Sequence, residues 1–599
     1  MRVLGDKTLN GSGPFVRRLY KKFYISTVIT IFLRNSSFFI SSFLAGNMLG
    51  PDALGIVGLL IPFSFFYIAL GSLYEVGCAA LCSKHIGNND FAGAKKIVTA
   101  AYAGNFLVCA AVAVPGFLFL DNILTALKIP VEAHDGARAY AAVFMVCGFF
   151  ISSVFIGYAL LKFDGYLKTL TAVTAITPLC AFGITYALVK WAGAGLFAIA
   201  AGACTSYVAI CIAMLCLTAF KAKVLGFARV NAIELIRISL RVFKNGLTGA
   251  TGEVCSIING VIINAMLVTN YGHLALSSFT AYCSLFSLYV AATLGSSVAS
   301  VQLAGVMNAE RDSAGVKCIV NTSLAYGLSM TAAISIGNVV FTGPISAGFG
   351  LGSPEALAVM KPVMFALSLC AIFDVFTNTF IHIYNTLGRH MASTMLSIGR
   401  RMVFLVIPAY LLSGMMGAEG VWHSLWLCSA LTSGAAVLYS LVAARHFPNL
   451  SKPFLINDEA ERMGMAASFS IMGETGCIDG NSRNVADFCM SNGIEQTQAG
   501  LIALMIKDTL SLIRIHGLKG RTAMLNVRIL FIDGGIVIRF RYAGDEYNPF
   551  ACYAGPNLSE NAGPNPSEIT ELNLSVSPAK SVDHRLTFGV NCLSITIDL

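Results

Sequence analysis

The chain has 599 residues, of which 56% are hydrophobic and only 12% are charged, about half the share that is usual in a soluble domain. Its net charge of +9 is distributed over alternate polar loops. That pattern sets membrane topology and argues against a nucleic-acid partner. Composition therefore predicts a polytopic membrane protein whose first partner is the lipid bilayer.

Twelve apolar segments long enough to span a bilayer follow one another along the chain. They are predicted at 24–47, 53–80, 97–120, 139–161, 169–190, 195–219, 246–268, 275–303, 318–341, 360–387, 400–416 and 420–444. We therefore expect an all-α membrane protein with 12 transmembrane helices, followed by a small cytoplasmic α+β domain.

The basic residues predict the orientation of these spans. If the N-terminus is cytoplasmic, twenty-two Lys and Arg residues lie in cytoplasmic segments before the last span. The outer loops then carry only four, namely Lys128, Arg138, Lys190 and Lys361. Because positive residues stay inside, both termini are predicted to be cytoplasmic, in the plasma (inner) membrane.

The chain repeats itself with an offset of 222 residues. The segment GPDAL at Gly50 recurs as GHLAL at Gly272, and DFAGAKKIV at Asp90 recurs as DSAGVKCIV at Asp312. Each repeat holds six spans, an even number, so both halves enter the membrane in the same direction. We therefore expect two parallel six-helix bundles, at 1–222 and 223–447, that enclose a cavity and rock to give alternating access.

The order of several short motifs resembles a known transporter family. The motifs are AGNMLGPDAL at Ala45, Ile61-Pro62, and GNND at Gly87 opening the third span, with Pro178 in span 5 and Pro408 in span 11. Over about residues 15–445, this arrangement is similar to the MATE (multidrug and toxic compound extrusion) family. The resemblance implies an antiporter, not an enzyme, that exports small organic solutes, commonly cationic or amphipathic, in exchange for Na⁺ or H⁺.

Six ionisable side chains lie inside predicted spans, where a charge is costly and usually faces a cavity or a partner. They are Arg34, Glu75, Glu253, Asp374, His382 and His423. The resemblance implies that a Glu in span 7 and an Asp in span 10 bind the coupling cation. Oxygen ligands suit Na⁺, and buried carboxylates with raised pKa values would equally suit H⁺. Asp374, Glu253 and Asn378 are the predicted coupling residues, unless they only bond neighbouring helices.

Further polar residues are predicted to line the cavity or the substrate pathway. They are Arg34, Ser41, Glu75, Asn264, His382 and Asn385. Ser41 is a departure, because the family often has an Asp at that point. Arg34 lies ~15 Å into span 1 and either pairs with Glu75 or replaces a coupling cation in the first half. His423 is expected to bond another helix or to relay protons.

Composition changes near residue 450. A linker is predicted at 448–465 and an α+β domain at 466–599. Its predicted strands are 469–472, 524–532, 536–542, 586–588 and 591–597, its helices 483–491 and 496–516, and its mobile loop about 555–567. The Asp533-Gly534-Gly535 segment predicts a hairpin between the two longest strands.

This tail resembles the histidine-kinase-like ATPase fold of anti-sigma-factor kinases. The resemblance rests on VADFC at Val485 with Gly493-Ile494, Leu504 through Asp508 to His516-Gly517, Asn548-Pro549-Phe550 and Gly589-Val590-Asn591. Leu512 stands where the resemblance implies a metal-binding Asn, and Tyr542-Ala543-Gly544 replaces the acidic turn. Neither can supply the missing ligands, so a degenerate domain without ATP is expected. It would regulate or scaffold, for example by binding a cytoplasmic partner.

Two other functions remain open from the sequence. The bundle could be a flippase for lipid-linked substrates, or a membrane receptor that signals through its tail. An enzyme is not expected, because the sequence has no GxxxxGK[ST] phosphate loop and no metal-ligand cluster. No cofactor is predicted beyond Na⁺ or H⁺ as the coupling ion.

Overall fold

The computed structural model describes most of the chain. The described residues are 11–87, 90–163, 166–220, 226–447, 449–472, 475–519, 521, 523–532, 534–544, 547–550, 579–587 and 590–598. They form two compact units. The bundle unit consists of Tyr24–Ala299 and Ser323–Tyr439, and the tail unit consists of Met1–Phe23, Ser300–Thr322 and Ser440–Leu599.

The first sequence repeat folds into helices joined by short turns. They are α1 (Gly13–Leu44), α2 (Pro51–Gly87), α3 (Phe91–Leu118), α4 (Leu120–Ala126), α5 (His134–Phe163), α6 (Leu167–Thr174), α7 (Ile176–Ala192) and α8 (Gly195–Phe220). A π-helical turn, Ala45–Leu49, extends α1. The predicted fifth span is divided between α6 and α7.

The second repeat follows the same plan. Its helices are α9 (Ala232–Ala309), α10 (Ser313–Val340), α11 (Thr342–Gly348), α12 (Pro354–Thr386), α13 (His390–Ile398), α14 (Phe404–Met416) and α15 (Ala418–His446). A π-helical segment, Gly399–Val403, joins α13 to α14. The predicted eleventh span therefore begins ten residues earlier than the sequence suggested, at His390.

Eleven helical stretches within the described residues are long and apolar enough to span a membrane, where the sequence predicts twelve. The difference lies in Ala250–Ala309, a stretch of 60 residues that covers most of the predicted spans 246–268 and 275–303. Gly272 interrupts this stretch with non-helical backbone angles. The chain is thus a mostly helical, multi-pass membrane protein.

The internal repeat of the sequence is also a repeat of backbone conformation. Gly50 has φ 96° and ψ 172°, and Gly272 has φ 79° and ψ −175°. Residues with a Cβ rarely adopt such positive φ values, so glycine is required at both turns. Helices α3 and α10 begin and end 222 residues apart, and so do the short helices α4 and α11.

Large apolar side chains cover the outside of the bundle unit. Examples that are strongly exposed are Val114, Leu118, Leu179, Tyr410 and Met415. Exposed apolar surface on this scale would associate in water, whereas it is satisfied by lipid tails. Buried clusters fill the interior, one around Leu60 and Phe144 and another around Met364 and Trp422.

The tail unit contains a five-stranded antiparallel sheet. Its strands are β3 (Ala466–Met472), β4 (Met524–Ile532), β5 (Gly535–Tyr542), β6 (Ala579–Thr587) and β7 (Val590–Asp598), in the order β3-β4-β5-β7-β6. Helices α17 (Thr475–Ser491) and α18 (Gln496–Leu512) complete the α+β fold, and a π-helical turn, Ile513–Gly517, ends α18. The predicted loop at about 555–567 lies outside the described residues.

The predicted linker has a structure of its own. Strands β1 (Leu450–Ser451) and β2 (Ile456–Asn457) pair as a small hairpin, and one helical turn, α16 (Glu459–Arg462), follows. Asp458 lies 2.7 Å from Arg462 and 2.6 Å from Lys317. The ion pair with Lys317 holds the linker against the first turns of α10.

The tail sheet has two faces of opposite character because side chains alternate along each strand. One face supplies the apolar core, including Phe469, Val527, Ile538, Phe540 and Ile595, together with residues of α17 and α18. The other face is polar. Its members are Ser468, Ser470, Asn526, Arg528, Arg539, Arg541, Cys592 and Ser594, which stand opposite one another in the strand register.

Candidate functional site

Asp374 is the most buried acid of the predicted coupling residues. It lies in the middle of α12 with 1% of its surface exposed. Its carboxylate forms an ion pair with Arg400 and accepts a 2.9 Å hydrogen bond from Nδ2 of Asn378. Arg400 in turn donates to Oδ1 of Asn378 over 3.2 Å. Asp374, Asn378 and Arg400 therefore form a closed triad, which we call the Asp374 triad.

Glu253, the predicted acid of span 7, lies in α9 and has a different arginine partner. Its Oε1 is 3.6 Å from Nη1 of Arg401, and both side chains are partly exposed. Arg401 also donates to the backbone carbonyl of Gly252 and to Oγ of Ser256. The two predicted acids therefore each carry an arginine, and those arginines are neighbours in sequence.

The π-helical segment Gly399–Val403 explains how adjacent arginines reach separate acids. A π turn adds a residue to the helix and changes the direction of the side chains around it, and such turns are frequent at functional sites. Here it holds Arg400 and Arg401 within a stretch that is apolar enough to span the membrane. Nδ2 of Asn259 binds the carbonyl oxygen of Arg401 over 3.1 Å and fixes this turn to α9.

The sequence predicts a different location for Arg400 and Arg401 from the one that the structure shows. Arg400 and Arg401 entered the charge count as residues of a cytoplasmic loop, because they stand at the start of the predicted eleventh span. The structure places them inside the helical stretch His390–Met416. A signal was available in the sequence, since acids stranded in predicted spans 7 and 10 require compensating charge.

The N-terminal half holds Arg34 in a different setting. The Arg34 guanidinium lies over the ring of Phe155, 5.9 Å from its centroid, as a cation–π contact. Ser41 is buried on the same helix, 5% exposed. Glu75 is half-buried in α2. The proposed ion pair between Arg34 and Glu75 stays a prediction.

The other predicted cavity residues have local partners. Nδ2 of Asn264, which is buried, donates to the carbonyl of Gly58 over 3.0 Å and joins α9 to α2. His382 is half-buried on α12, and Asn385 near the end of that helix is exposed and 2.6 Å from Nδ1 of His390. His423 accepts a 3.2 Å bond from Nε1 of Trp426, a contact within α15 where a bond to another helix was expected.

The tail residues at which the sequence resemblance implied an ATP site pack against their neighbours. Leu512, at the expected metal-ligand position, belongs to the apolar core. The Tyr542 ring lies against Gly517, and its hydroxyl donates to the carbonyl of Tyr547. Asp508 is half-buried on α18. Whether the tail binds nucleotide stays a prediction from sequence.

Comparison with known proteins places the bundle in a fold family. Residues 27–187 match the family model MatE. An inward-facing multidrug resistance MATE family transporter of the MOP superfamily superposes with a TM-score of 0.63 at 17% identity, covering 73% of this chain and 99% of its own. An outward-facing structure of such a transporter gives a TM-score of 0.60 at 17% identity, covering 74% and 99%.

A third solved structure is similar to the same degree. It is a MOP superfamily transporter from Pyrococcus furiosus Vc1, described as having a binding pocket of reverse polarity that suggests a different function. Its TM-score is 0.60 at 17% identity, with 74% of this chain and 99% of its own covered. No curated protein matches the chain in sequence.

These matches extend over about three quarters of the chain. The ATPase-like character of the tail, residues 466–599, stays a prediction. Over its bundle, this multi-pass membrane protein has the fold of MATE transporters.

Proposed function

We propose that the chain is a MATE family secondary antiporter of the plasma membrane. It spans the membrane twelve times in two parallel halves, with α9 crossing on both sides of Gly272 and with both termini in the cytoplasm. It exports small organic solutes, cationic or amphipathic, in exchange for Na⁺ or H⁺ by alternating access. The MatE match and the similarity to both inward-facing and outward-facing MATE structures support this proposal.

The Asp374 triad is the observation that carries the proposed coupling. A carboxylate this deeply buried needs a counter-charge, and Arg400 provides it in the arrangement described. Na⁺ or H⁺ arriving at Asp374 competes with the guanidinium for the same oxygens. Because arginine stays protonated, Arg400 must then find other acceptors, and this exchange of partners couples the ion to a rearrangement of the helix.

The second acid connects to the same event. Arg401 follows Arg400 in one π-helical segment and holds Glu253 on α9. A displacement of this segment at Asp374 therefore also changes the contact at Glu253. A cationic solute would use the same competition, since it must displace an arginine before it can meet either carboxylate.

Transport by vesicles tests the proposal directly. The purified chain is reconstituted, Na⁺ or pH gradients are imposed, and uptake of a panel of labelled organic cations is measured. We expect gradient-driven uptake by the wild type and its loss in Asp374→Asn. Asp121→Asn is the matched control, because Asp121 also pairs with an arginine, Arg138, but both side chains are exposed on the surface. It should transport like the wild type.

A folding control accompanies this test. Asp374→Asn alone leaves Arg400 buried without its charge partner, which destabilises proteins by about 3–5 kcal/mol. The double variant Asp374→Asn with Arg400→Gln removes both charges and should recover the wild-type elution profile without recovering transport. Wild-type, gradient-dependent uptake by Asp374→Asn would refute the coupling role of this carboxylate.

A further inference from the structure

The polar face of the tail sheet is buried, and the described contacts of its two deepest arginines with acidic side chains come from outside the sheet and its helices. Arg528 and Arg541 are 1% and 2% exposed, and Asn526 is fully buried between them. In a two-layer α+β domain, the face opposite the helices normally meets solvent. Burying two arginines on such a face requires acids from elsewhere in the chain.

Those acids come from the loop between α9 and α10 and from the linker. Arg541 bonds Oδ2 of Asp312 over 2.7 Å and also forms an ion pair with Glu310. Arg528 lies 3.4 Å from Oδ1 of Asp312 and 2.9 Å from Oε1 of Glu461. We call these five residues the docking cluster.

Backbone contacts tighten the docking cluster. Nη1 of Arg539 donates to the carbonyl of Glu310 over 2.8 Å, and Arg528 donates to the carbonyl of Arg311. Arg311 has a left-handed backbone with φ 55°, a conformation that non-glycine residues adopt only where the surroundings demand it. The tail sheet therefore contacts the backbone of this loop as well as its charged side chains.

The charges of the docking cluster favour its formation at neutral pH. Burial alone would raise the pKa of Asp312, but the guanidiniums of Arg541 and Arg528 outweigh burial and hold that pKa below its usual value. Asp312 also caps α10, because its Oδ1 accepts the N–H of Gly315 over 2.8 Å. Glu461 accepts the N–H of Ser313 at the same helix end, over 3.0 Å.

The start of α1 joins the docking cluster. Oγ of Ser12 donates to Oδ2 of Asp312 over 3.1 Å, and Oγ of Ser470 on the tail sheet donates to the carbonyl of Gly11 over 2.9 Å. Ser12 is 1% exposed, so this contact is sealed from solvent. Helix α1 belongs to the first sequence repeat, whereas the loop that carries Asp312 belongs to the second.

We propose that the polar face of the tail sheet is an internal docking surface for the loop at 310–312, and that it latches the cytoplasmic ends of α1 and α10 together. The proposal rests on the proposed function, because it assumes two halves that rock and a cytoplasmic tail. Helices α1 and α10 belong to opposite halves. Opening the cavity to the cytoplasm separates those halves, so the docking cluster must loosen before the cavity opens.

Hydrogen exchange of the full-length protein tests the docking surface without a transported solute. We compare the wild type with Arg541→Gln, which removes the charge and keeps an N–H donor, and with Asp312→Asn, which keeps side-chain size and the helix cap. Amide exchange at 11–20 and at 308–317 should speed up about tenfold or more, because a buried ion pair has lost one partner. The core strand at 593–597 should keep its protection, which shows that the tail remains folded.

The matched control is Asp90→Asn, which changes the corresponding residue of the first repeat and should alter neither region. If Arg541→Gln fails to fold, Arg539→Gln removes the bond to the Glu310 carbonyl and the charge attraction to that residue while keeping Arg541 and Arg528, and should give a smaller acceleration at the same two regions. Unchanged exchange in the foldable variants would overturn the docking surface. So would an equal response of Asp90→Asn.

A binding measurement tests the consequence for opening. Releasing the latch raises the share of molecules that are open to the cytoplasm, so the apparent Kd for a solute presented on that side should fall in Arg541→Gln. Faster exchange with an unchanged Kd would overturn the latch while leaving the docking surface in place. If the wild type transports no solute, the proposed function fails and the latch fails with it, whereas exchange at the first turns of α1 and α10 still decides the docking surface.

Discussion

The loops that precede α3 and α10 share the same helix cap, but the capping aspartates differ in their exposure and in their other contacts. Asp90 and Asp312 occupy the same position of the repeat, and each accepts the N–H of the glycine three residues later over 2.8 Å. Asp90 is 48% exposed and meets Nδ1 of His85 at 2.7 Å. Asp312 is fully buried and meets two arginines of the tail sheet.

The difference shows how one local role can be extended by an added domain. Capping a helix requires only the aspartate and the glycine that follows it, so both repeats retain it. Docking also requires arginines on a partner surface, which the described residues provide at Asp312. Oδ1 of Asp312 caps α10 and lies 3.4 Å from Arg528, and Oδ2 meets Arg541 over 2.7 Å.

The largest expected effect is the loss of stability when the charge of Asp312 is removed, compared with the same change at Asp90. Asparagine caps helices about as well as aspartate, so Asp312→Asn tests the ion pairs and not the cap. Removing one partner of a buried charge cluster costs about 3–5 kcal/mol, and we expect the thermal midpoint in detergent to fall by several degrees. Asp90→Asn should leave that midpoint unchanged. Equal shifts would mean that the tail adds nothing at Asp312.

Much of this comparison follows from sequence, because the repeat specifies it. The offset between DFAGAKKIV and DSAGVKCIV predicts that the two loops share a conformation, and glycine at residues 50 and 272 predicts matching turns. The strands of the tail at 524–532 and 536–542 are also predicted nearly as observed. Such features depend on neighbours in the chain, which periodicity and turn residues report.

The docking cluster could not be predicted in the same way. Arg528 and Arg541 alternate with apolar residues, which in sequence indicates a solvent-exposed face of an antiparallel sheet. Glu310 and Asp312 lie more than two hundred residues away, in a short polar loop between two predicted spans, and Glu461 lies 67 residues before Arg528 in the predicted linker. The same limit applies to Arg400 and Arg401, which a count of basic residues assigns to a loop although they reach the acids of α12 and α9.

The second-largest expected effect is the coupling energy between Arg541 and Asp312, measured by unfolding. Arg541→Gln removes one of the two arginines at Asp312 and Asp312→Asn removes one of the two acids at Arg541, whereas the double variant removes one charge of each sign. The double variant should therefore be more stable than the sum of the single losses predicts, by about 0.5–3 kcal/mol. Unfolding midpoints of the four proteins give this coupling. The same cycle with Asp90→Asn and Arg541→Gln should be additive, and a coupling there would contradict the separate roles of the two loops.

Lowering the pH should produce a smaller and more gradual difference between the regions around Asp312 and Asp90. The pKa of Asp312 is held below its usual value of about 3.9, so its contribution to stability is complete above that pH. That contribution is lost as the pH falls through the lower pKa of the folded state. The charged groups that contact Asp312 are Arg528 and Arg541, with Glu310, Glu461 and Cys592 close to the same arginines.

We therefore expect exchange at 308–317 to stay constant between about pH 8 and pH 5 after correction for the intrinsic rate, and to rise only below about pH 4. Hydrogen bonding from Gly93 and from His85 also lowers the pKa of Asp90, but no tail surface depends on that residue. Exchange at 91–98 should show no release at acidic pH comparable to that at 308–317. Loss of protection at 308–317 already near pH 6 would contradict the assignment to Asp312.

The smallest difference is expected where the repeats are alike. Gly50→Ala and Gly272→Ala both place a Cβ on a residue with positive φ, and neither Cβ would meet another atom within 4 Å. The loss is therefore backbone strain alone, about 1 kcal/mol at each site, and the two variants should show equal shifts of the unfolding midpoint. A much larger effect at Gly272 would mean that the stability of the protein depends more on the turn within α9 than on the turn before α2. The two halves would then differ in their turns as well as in their loops.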